Sequence, residues 1–331
     1  MDIKSPAPRN APALVIHTDR DQPVDPADRK RFEELGAPLV GIESDAEFIE
    51  VARQAVAVLN SGFRLTAPLI QTLDRCRVIS RYGSGVDNID VAAATRKGIP
   101  VANVPVFCVE EVANRCMTLL LACSCRLLSM DAATRQGVWG VQNIPPAAQI
   151  EGQTLGLVGF GKIAQAVANR ARPFGWRIIA HDPFVPPETA AEAGVELCDL
   201  EAVLQKADYV SMHVPLTSST RHLLSASRLA LMKPSSFLVN TARGGLIDEA
   251  ALIEVLRHCR IAGAGLDVFE TEPPVKDHPL FSMDNVILTP HCSSHTLRAT
   301  AKVRSAAIDA VMRVLKGERP VHVVNPELFA T

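Results

Sequence analysis

Neither sign of charge is in excess here. Lys and Arg total 34 and Asp and Glu 36, a formal net charge of −2. That balance leaves no basic footprint for nucleic acid and no acidic, disordered tail. The eight cysteines include no C-x-x-C pair and no Cys/His cluster at zinc spacing, so no metal site is expected. Long apolar runs are missing as well. The most apolar stretch, Met117 to Cys123, is far too short to span a bilayer, and no membrane partner is expected. The N-terminal stretch carries Pro6, Pro8 and Pro12 but no apolar core, and does not read as a secretory signal. Residues 1–12 are expected to be a loose tail, and the cysteines, including the close pair Cys123 and Cys125, to be reduced thiols of a cytoplasmic protein. There is no internal repeat.

What is present is ordinary for a globular chain: 331 residues, 47% of them hydrophobic. At roughly 100–200 residues per domain, that length suggests two domains. Short apolar runs alternate with helical periodicity. ALVIH (13–17) reads as a buried strand, and RVISRYGSG (77–85) as a strand running into a Gly-punctuated loop. Residues 109–128 read as one long helix, with acidic Glu110 and Glu111 at its positive end. Residues 137–150 read as a connecting loop. Further strands are expected at 154–160, 176–181, 208–212, 236–240, 262–266 and 286–289, with helices between most of them. Ser225 and Asp248 are expected N-caps, and Met232-Lys233-Pro234 a helix stop. A last amphipathic helix is expected at about Thr296–Leu315, ending at Gly317. Such alternation predicts an α/β fold with parallel sheets.

Gly159-Phe160-Gly161-Lys162-Ile163-Ala164 fits G-x-G-x-x-G/A. A strand precedes it, a helix follows, and Asp182 ends the next strand about 20 residues on. In that setting Gly159 permits a tight turn, Gly161 lets backbone approach a pyrophosphate, and Ala164 is the small residue where helix meets strand. The N–H groups of the helix start, at Lys162 and Ile163, would hold phosphate charge. Asp182 would accept from the ribose hydroxyls and repel a 2′-phosphate, which favours NAD over NADP.

Three more polar residues stand after predicted strands, where open α/β sheets bind ligands: Arg243 after FLVNTA, Glu272 after GLDVFET and His291 after VILTP. Reduction of a 2-oxo acid by hydride needs this set. A fork of donors grips the carboxylate. An acid near neutral pKa protonates the nascent alkoxide. A carboxylate beside that acid orients its ring.

NTARGGLIDE, GLDVFETEPP and TPH, with the Gly-rich loop, resemble the D-isomer-specific 2-hydroxyacid dehydrogenase family from about Arg77 to Pro326. That family includes phosphoglycerate, glyoxylate and formate dehydrogenases and the C-terminal-binding-protein corepressors. RYGSGVDNID and VPVFCVEEVAN are most similar to the corepressor branch. The resemblance implies two Rossmann-like or flavodoxin-like parallel-sheet domains with a cleft between them. The substrate domain would be discontinuous, 13–105 plus 295–331. The NAD-binding domain would be 106–294, with a dimerisation arm at about 109–150 and a homodimer as the assembly. It further implies Arg243 as binder of carboxylate and carbonyl, His291 as proton donor or acceptor, and Glu272 as its partner. Asp267 would meet the nicotinamide carboxamide. His213, Val214 and Pro215 would line the adenosine side, and Thr241 and Ala242 the nicotinamide ribose. The N–H groups of Ser84, Gly85 and Val86 would hold the substrate carboxylate. Arg81 would give a second grip on the acid or a structural ion pair.

The sequence departs from the family where the corepressor branch has Trp three residues after the histidine; Ser294 stands here. Helix residues usually reading Val-Ala-acid are Val112-Ala113-Asn114. Cys292 reads as an inert thiol, although an imidazolium beside it would lower its pKa. His295 is expected at a helix N-terminus, close to His291. Trp139 is expected to pack within the arm. The implied function is interconversion of a small 2-hydroxy acid and its 2-oxo acid with NAD. An NAD(H)-sensing scaffold and a phosphite-type oxyanion dehydrogenase are the alternatives.

Overall fold

In the computed structural model the described residues are 13–18, 24–140, 142, 146–147 and 149–330. The expected tail at 1–12 and part of the loop at 137–150 fall outside them. The chain forms two compact units. One runs up to Phe107 and resumes at Thr296; the other is Cys108–His295.

The first unit alternates β1 (Leu14–His17), α1 (Pro26–Glu34), β2 (Leu39–Gly41), α2 (Asp45–Ala52), β3 (Ala55–Asn60), α3 (Ala67–Gln71), β4 (Ile79–Arg81), α4 (Val91–Arg96) and β5 (Val101–Ala102). Its strands are all parallel, in the order β2-β1-β3-β4-β5. Every residue of β3 is buried, as expected of a strand covered on both faces. Helix starts are fixed by acceptors for otherwise orphaned N–H groups. Asp25 accepts from Ala27, Ser44 from Glu47 and Asp90 from Ala93. The chain's return adds a helix from Leu297 to Leu315, capped by Thr296. Ser80 Oγ of β4 donates to the Ala307 carbonyl on that helix, at 2.9 Å. Buried Asn325 then bonds Val101 N–H at 2.8 Å and the Ile99 carbonyl at 3.0 Å, which sews the C-terminal segment to the sheet edge.

The second unit holds α5 (Val109–Ser124), α6 (Leu127–Arg135), β6 (Thr154–Val158), α7 (Lys162–Ala171), β7 (Arg177–His181), α8 (Pro187–Glu192), β8 (Glu196–Leu197), α9 (Leu200–Lys206), β9 (Tyr209–Met212), α10 (Ala226–Leu229), β10 (Phe237–Asn240), α11 (Glu249–Arg257), β11 (Gly263–Leu266) and β12 (Val286–Leu288). Its parallel order is β12-β11-β10-β9-β6-β7-β8. The strand order reverses beside β6, the position that builds a dinucleotide crevice in open sheets. One apolar cluster packs α5 and α7 on one face, and a second packs α9 and α11 on the other. Asn114 on α5 accepts from Arg170 of α7 at 2.8 Å, and Glu110 pairs with the same guanidinium. The unusual amide therefore serves helix packing.

Four local expectations are corrected. The helix expected over 109–128 breaks, because Arg126 adopts the left-handed region at φ 50°. Cys123 is consequently a buried helix residue and Cys125 an exposed C-cap. Helix α10 ends at Leu229, well before Pro234, and Ser225 turns its hydroxyl to Ser227 instead of capping. Asp248 does cap α11, accepting from Ala251 N–H. Trp139 is 88% exposed in this chain instead of buried within the arm. No single helix among them is long and apolar enough to cross a membrane.

Candidate active site

Backbone geometry explains the Gly-rich loop. β6 hands over to α7 through Gly159, whose φ is 94°. A Cβ there would lie 2.8 Å from the His213 carbonyl carbon and 2.9 Å from Val214 Cγ1, so only glycine fits. Above Gly161 the space is open to 4 Å, and no side chain caps α7. The N–H groups at Lys162 and Ile163 thus start an uncapped helix, as a bound phosphate requires. Ala164 is fully buried under the sheet.

Asp182 follows β7. One carboxylate oxygen accepts from Phe160 N–H at 2.8 Å and the other from Phe184 N–H at 2.9 Å. The first bond joins the acidic residue to the glycine loop, and each oxygen keeps a further lone pair for a hydroxyl. After β9, burial lowers the His213 imidazole to about 4, so the ring is neutral, and its covered Nε2 has no partner among the described residues. After β10, covered Thr241 Oγ1 is likewise without a partner. Buried polar atoms are normally satisfied. These two flank the loop on neighbouring strands, so the residues present fit a dinucleotide with polar groups to spare.

Asn240, which sequence reasoning missed, shapes the next turn. Its Oδ1 accepts from Ala242 N–H at 3.0 Å and its Nδ2 donates to the Arg243 carbonyl at 2.8 Å. Arg243 Nη1 donates to the Ala242 carbonyl at 2.7 Å. The asparagine of N-T-A-R is legible afterwards as a turn residue. Gly244 lies hard against the segment after β11: a Cβ would sit 1.9 Å from the Phe269 carbonyl carbon and 2.4 Å from Glu270 N.

That segment brings up Glu272. Its Oε1 accepts from Phe269 N–H at 3.0 Å, and its Oε2 accepts from His291 Nδ1 at 2.6 Å. Burial alone would raise Glu272. The hydrogen bond and charge of His291, the Phe269 N–H and Arg243 outweigh it and hold the carboxyl below its ordinary value. His291 has φ 49°, and its N–H donates to the Asp267 carbonyl at 2.7 Å. Its ring is about half exposed, with Nε2 bonded to nothing among the described residues.

Fully buried Asp267 turns out to be the clamp of this loop. It accepts from Thr289 Oγ1 at 2.5 Å, Cys292 N–H at 3.0 Å, Ser293 N–H at 2.9 Å and Ser293 Oγ at 2.5 Å. Its lone pairs are filled from within the chain. Cys292, expected as an inert thiol, lies against the same carboxylate. Burial and the Asp267 carboxylate raise its pKa, against the smaller pull of Arg115, so no thiolate is favoured beside His291. His295 is exposed and stands one residue before the cap of the last helix.

Arg81, Ser84, Gly85 and Val86 belong to the first unit. Arg81 ends β4, and its Nη1 donates to the Tyr82 carbonyl at 2.8 Å. Asn103 Nδ2 holds the Ser84 carbonyl at 2.7 Å. The N–H groups of Ser84, Gly85 and Val86 have no acceptor among the described residues.

Comparison with known proteins gives a consistent picture. Residues 117–293 match the family model described as D-isomer specific 2-hydroxyacid dehydrogenase, NAD binding domain. D-3-phosphoglycerate dehydrogenase of Methanocaldococcus jannaschii is 42% identical over 300 residues, 89% of this chain. The chain spans only 57% of that relative's length. Hydroxypyruvate reductase of Thermotoga maritima is 40% identical over 285 residues, 86% of this chain and 92% of that one. Among solved structures, D-lactate dehydrogenase from Aquifex aeolicus, complexed with NAD and lactic acid, superposes with TM-score 0.84 at 26% identity, covering 94% and 98% of the two chains.

Proposed function

Because the chain belongs to the D-isomer-specific 2-hydroxyacid dehydrogenase family, we propose that it interconverts a small D-2-hydroxy acid and its 2-oxo acid, with His291 as general acid and base. The observation that carries this reading is the 2.6 Å bond from His291 Nδ1 to Glu272. It fixes the ring's tautomer and leaves Nε2 to exchange a proton.

Gly159, Gly161, Lys162 and Ile163 would hold the cofactor's phosphates, and Asp182 its ribose. His213, Val214, Pro215, Thr241 and Ala242 would surround the rest. When bound, NADH supplies the hydride. Arg243 would grip the acid's carboxylate and polarise the ketone. The imidazolium of His291 then gives its proton to the developing alkoxide, while Glu272 balances the charge. In oxidation the neutral ring takes that proton back. The Asp182 carboxylate opposes a 2′-phosphate, which selects NAD. The hydroxypyruvate reductase among the relatives supports hydroxypyruvate as the first substrate to try. The exposed Leu127, Leu128 and Trp139 around α6 support a homodimer through that face.

The test is a panel of glyoxylate, hydroxypyruvate, pyruvate, phenylpyruvate and longer 2-oxo acids, each with NADH and with NADPH. Turnover of one acid well above the rest is expected with NADH. H291A should lose roughly two to four orders of magnitude in kcat, the usual range for general acid–base groups, and keep its NADH affinity. An unchanged kcat in H291A would sink the assignment.

A further inference from the structure

We infer that Glu249, with His278, is a positioning residue for the Glu272–His291 pair. The inference rests on the catalytic reading of His291 given above.

Glu249 opens α11, and its carboxylate is 18% exposed. Its Oε2 accepts from Glu270 N–H at 3.0 Å, and its Oε1 accepts from His278 Nε2 at 3.0 Å. The imidazole of His278 is 10% exposed and accepts at Nδ1 from Leu280 N–H, at 3.4 Å. Its ring is packed edge-on to Phe269, with centroids 5.6 Å apart. One carboxylate therefore ties Glu270 to His278, and Glu272 lies between them.

The segment is fixed on its other sides by groups already described. Gly244 backs the Phe269 carbonyl, and the Glu272 side chain folds onto Phe269 N–H. The side chain of Glu270 points elsewhere, to Arg221 at 3.1 Å and His222 at 2.6 Å. Only the Glu249 bond holds the Glu270 amide among the described residues. Two residues on, Glu272 must present one oxygen to His291 within 2.6 Å. Glu249 touches neither reacting group. It acts through the turn, and the chemistry it supports depends on that 2.6 Å contact.

The charged and titratable groups around the supported pair are Arg243, Asp267 and Cys292 with Arg115. Around Glu249 and His278 they are Glu270, Arg221 and His222. Slackening the turn leaves those groups in place and loosens Glu272 from Phe269 N–H and His291, the contacts that hold its carboxyl low. Its protonation then begins at higher pH.

The experiment compares wild type, E249A, E249Q, H278Q and H291A by kcat, NADH dissociation constant and the acid limb of the pH profile. E249A should lose roughly 10- to 100-fold in kcat, the scale expected of a displacement near 1 Å. Its acid limb should move to higher pH, and its NADH affinity should stay within about twofold of wild type. E249Q keeps an oxygen for Glu270 N–H and should recover most of kcat. H278Q should show a smaller loss of the same kind. If E249A yields no folded protein, H278Q carries the same readouts. The inference is overturned if folded E249A, or H278Q in its place, keeps the wild-type kcat and acid limb, or if E249Q is as impaired as E249A. If H291A retains turnover, the catalytic reading itself falls, whatever the Glu249 variants do.

Discussion

Replacing Gly244 by alanine is the sharpest test of how the site is held together. The added methyl would begin 1.9 Å from the Phe269 carbonyl carbon, 2.0 Å from its oxygen and 2.4 Å from Glu270 N. All three are backbone atoms, so no side chain can swing aside. Ordinary contact starts near 3.4 Å, and the two segments must separate by about 1.5 Å, roughly the difference. Overpacking of this kind costs about 1–3 kcal/mol. For a unit of this size that lowers Tm by roughly 2–4 °C per kcal/mol. The larger effect should fall on turnover, because the displaced segment carries Glu272 and the opposing one carries Arg243. A shift near 1 Å costs about 100-fold in kcat. Affinity for NADH, whose phosphates and ribose rest on the loops after β6 and β7, should change little. Stopped-flow reduction of the best 2-oxo acid, NADH fluorescence titration and a thermal melt give the three readings. A G244A protein with wild-type kcat and melting temperature would refute the account of this glycine.

Three further outcomes follow from the same geometry. Glu272 is held below its ordinary carboxyl value, so its contribution to stability is present above the unfolded value of about 4.3 and is lost as pH falls through the lower, folded one; the Tm difference between wild type and E272Q should be full at neutral pH and close below about pH 4, and a gap that persists in acid would count against it. D182A should narrow the preference for NADH over NADPH, read as a ratio of kcat/KM, and should loosen the glycine loop because Phe160 N–H loses its acceptor; an unaltered ratio would argue against the ribose role. D267N turns an amide N–H₂ toward two of the four donors, either Thr289 Oγ1 with Cys292 N–H or the two of Ser293, in a fully buried site, so it should cost about 2–3 kcal/mol and reduce kcat with the His291 loop; calorimetry showing no loss of stability would remove Asp267 as the clamp.

Sequence by itself determined a good deal here. Strand-to-helix alternation predicted parallel sheets because hydrophobic periodicity is local. The Gly159 loop and Asp182 could be read because a βαβ unit fixes their spacing. Strand ends at Asn240, Leu266 and Leu288 gave the stations of Arg243, Glu272 and His291. Strands β2, β3, β5 and β8 were not singled out, since a run of two or three residues carries little period and β3, buried on both faces, shows no alternation. The break at Arg126 is not legible either, because nothing in the local composition signals a residue at φ 50°.

Only the folded chain decided the pairings. That His291 meets Glu272, that Asp267 spends its carboxylate on the 289–293 loop, and that Gly244 abuts Phe269 are contacts across 19 to 26 positions of sequence. No periodicity reports them, because each depends on where a crossover returns its strand. Cys292 shows the consequence. Its neighbour in sequence is a histidine that would favour the thiolate, but its neighbour in space is the Asp267 carboxylate, and burial with that charge sets the thiol the other way.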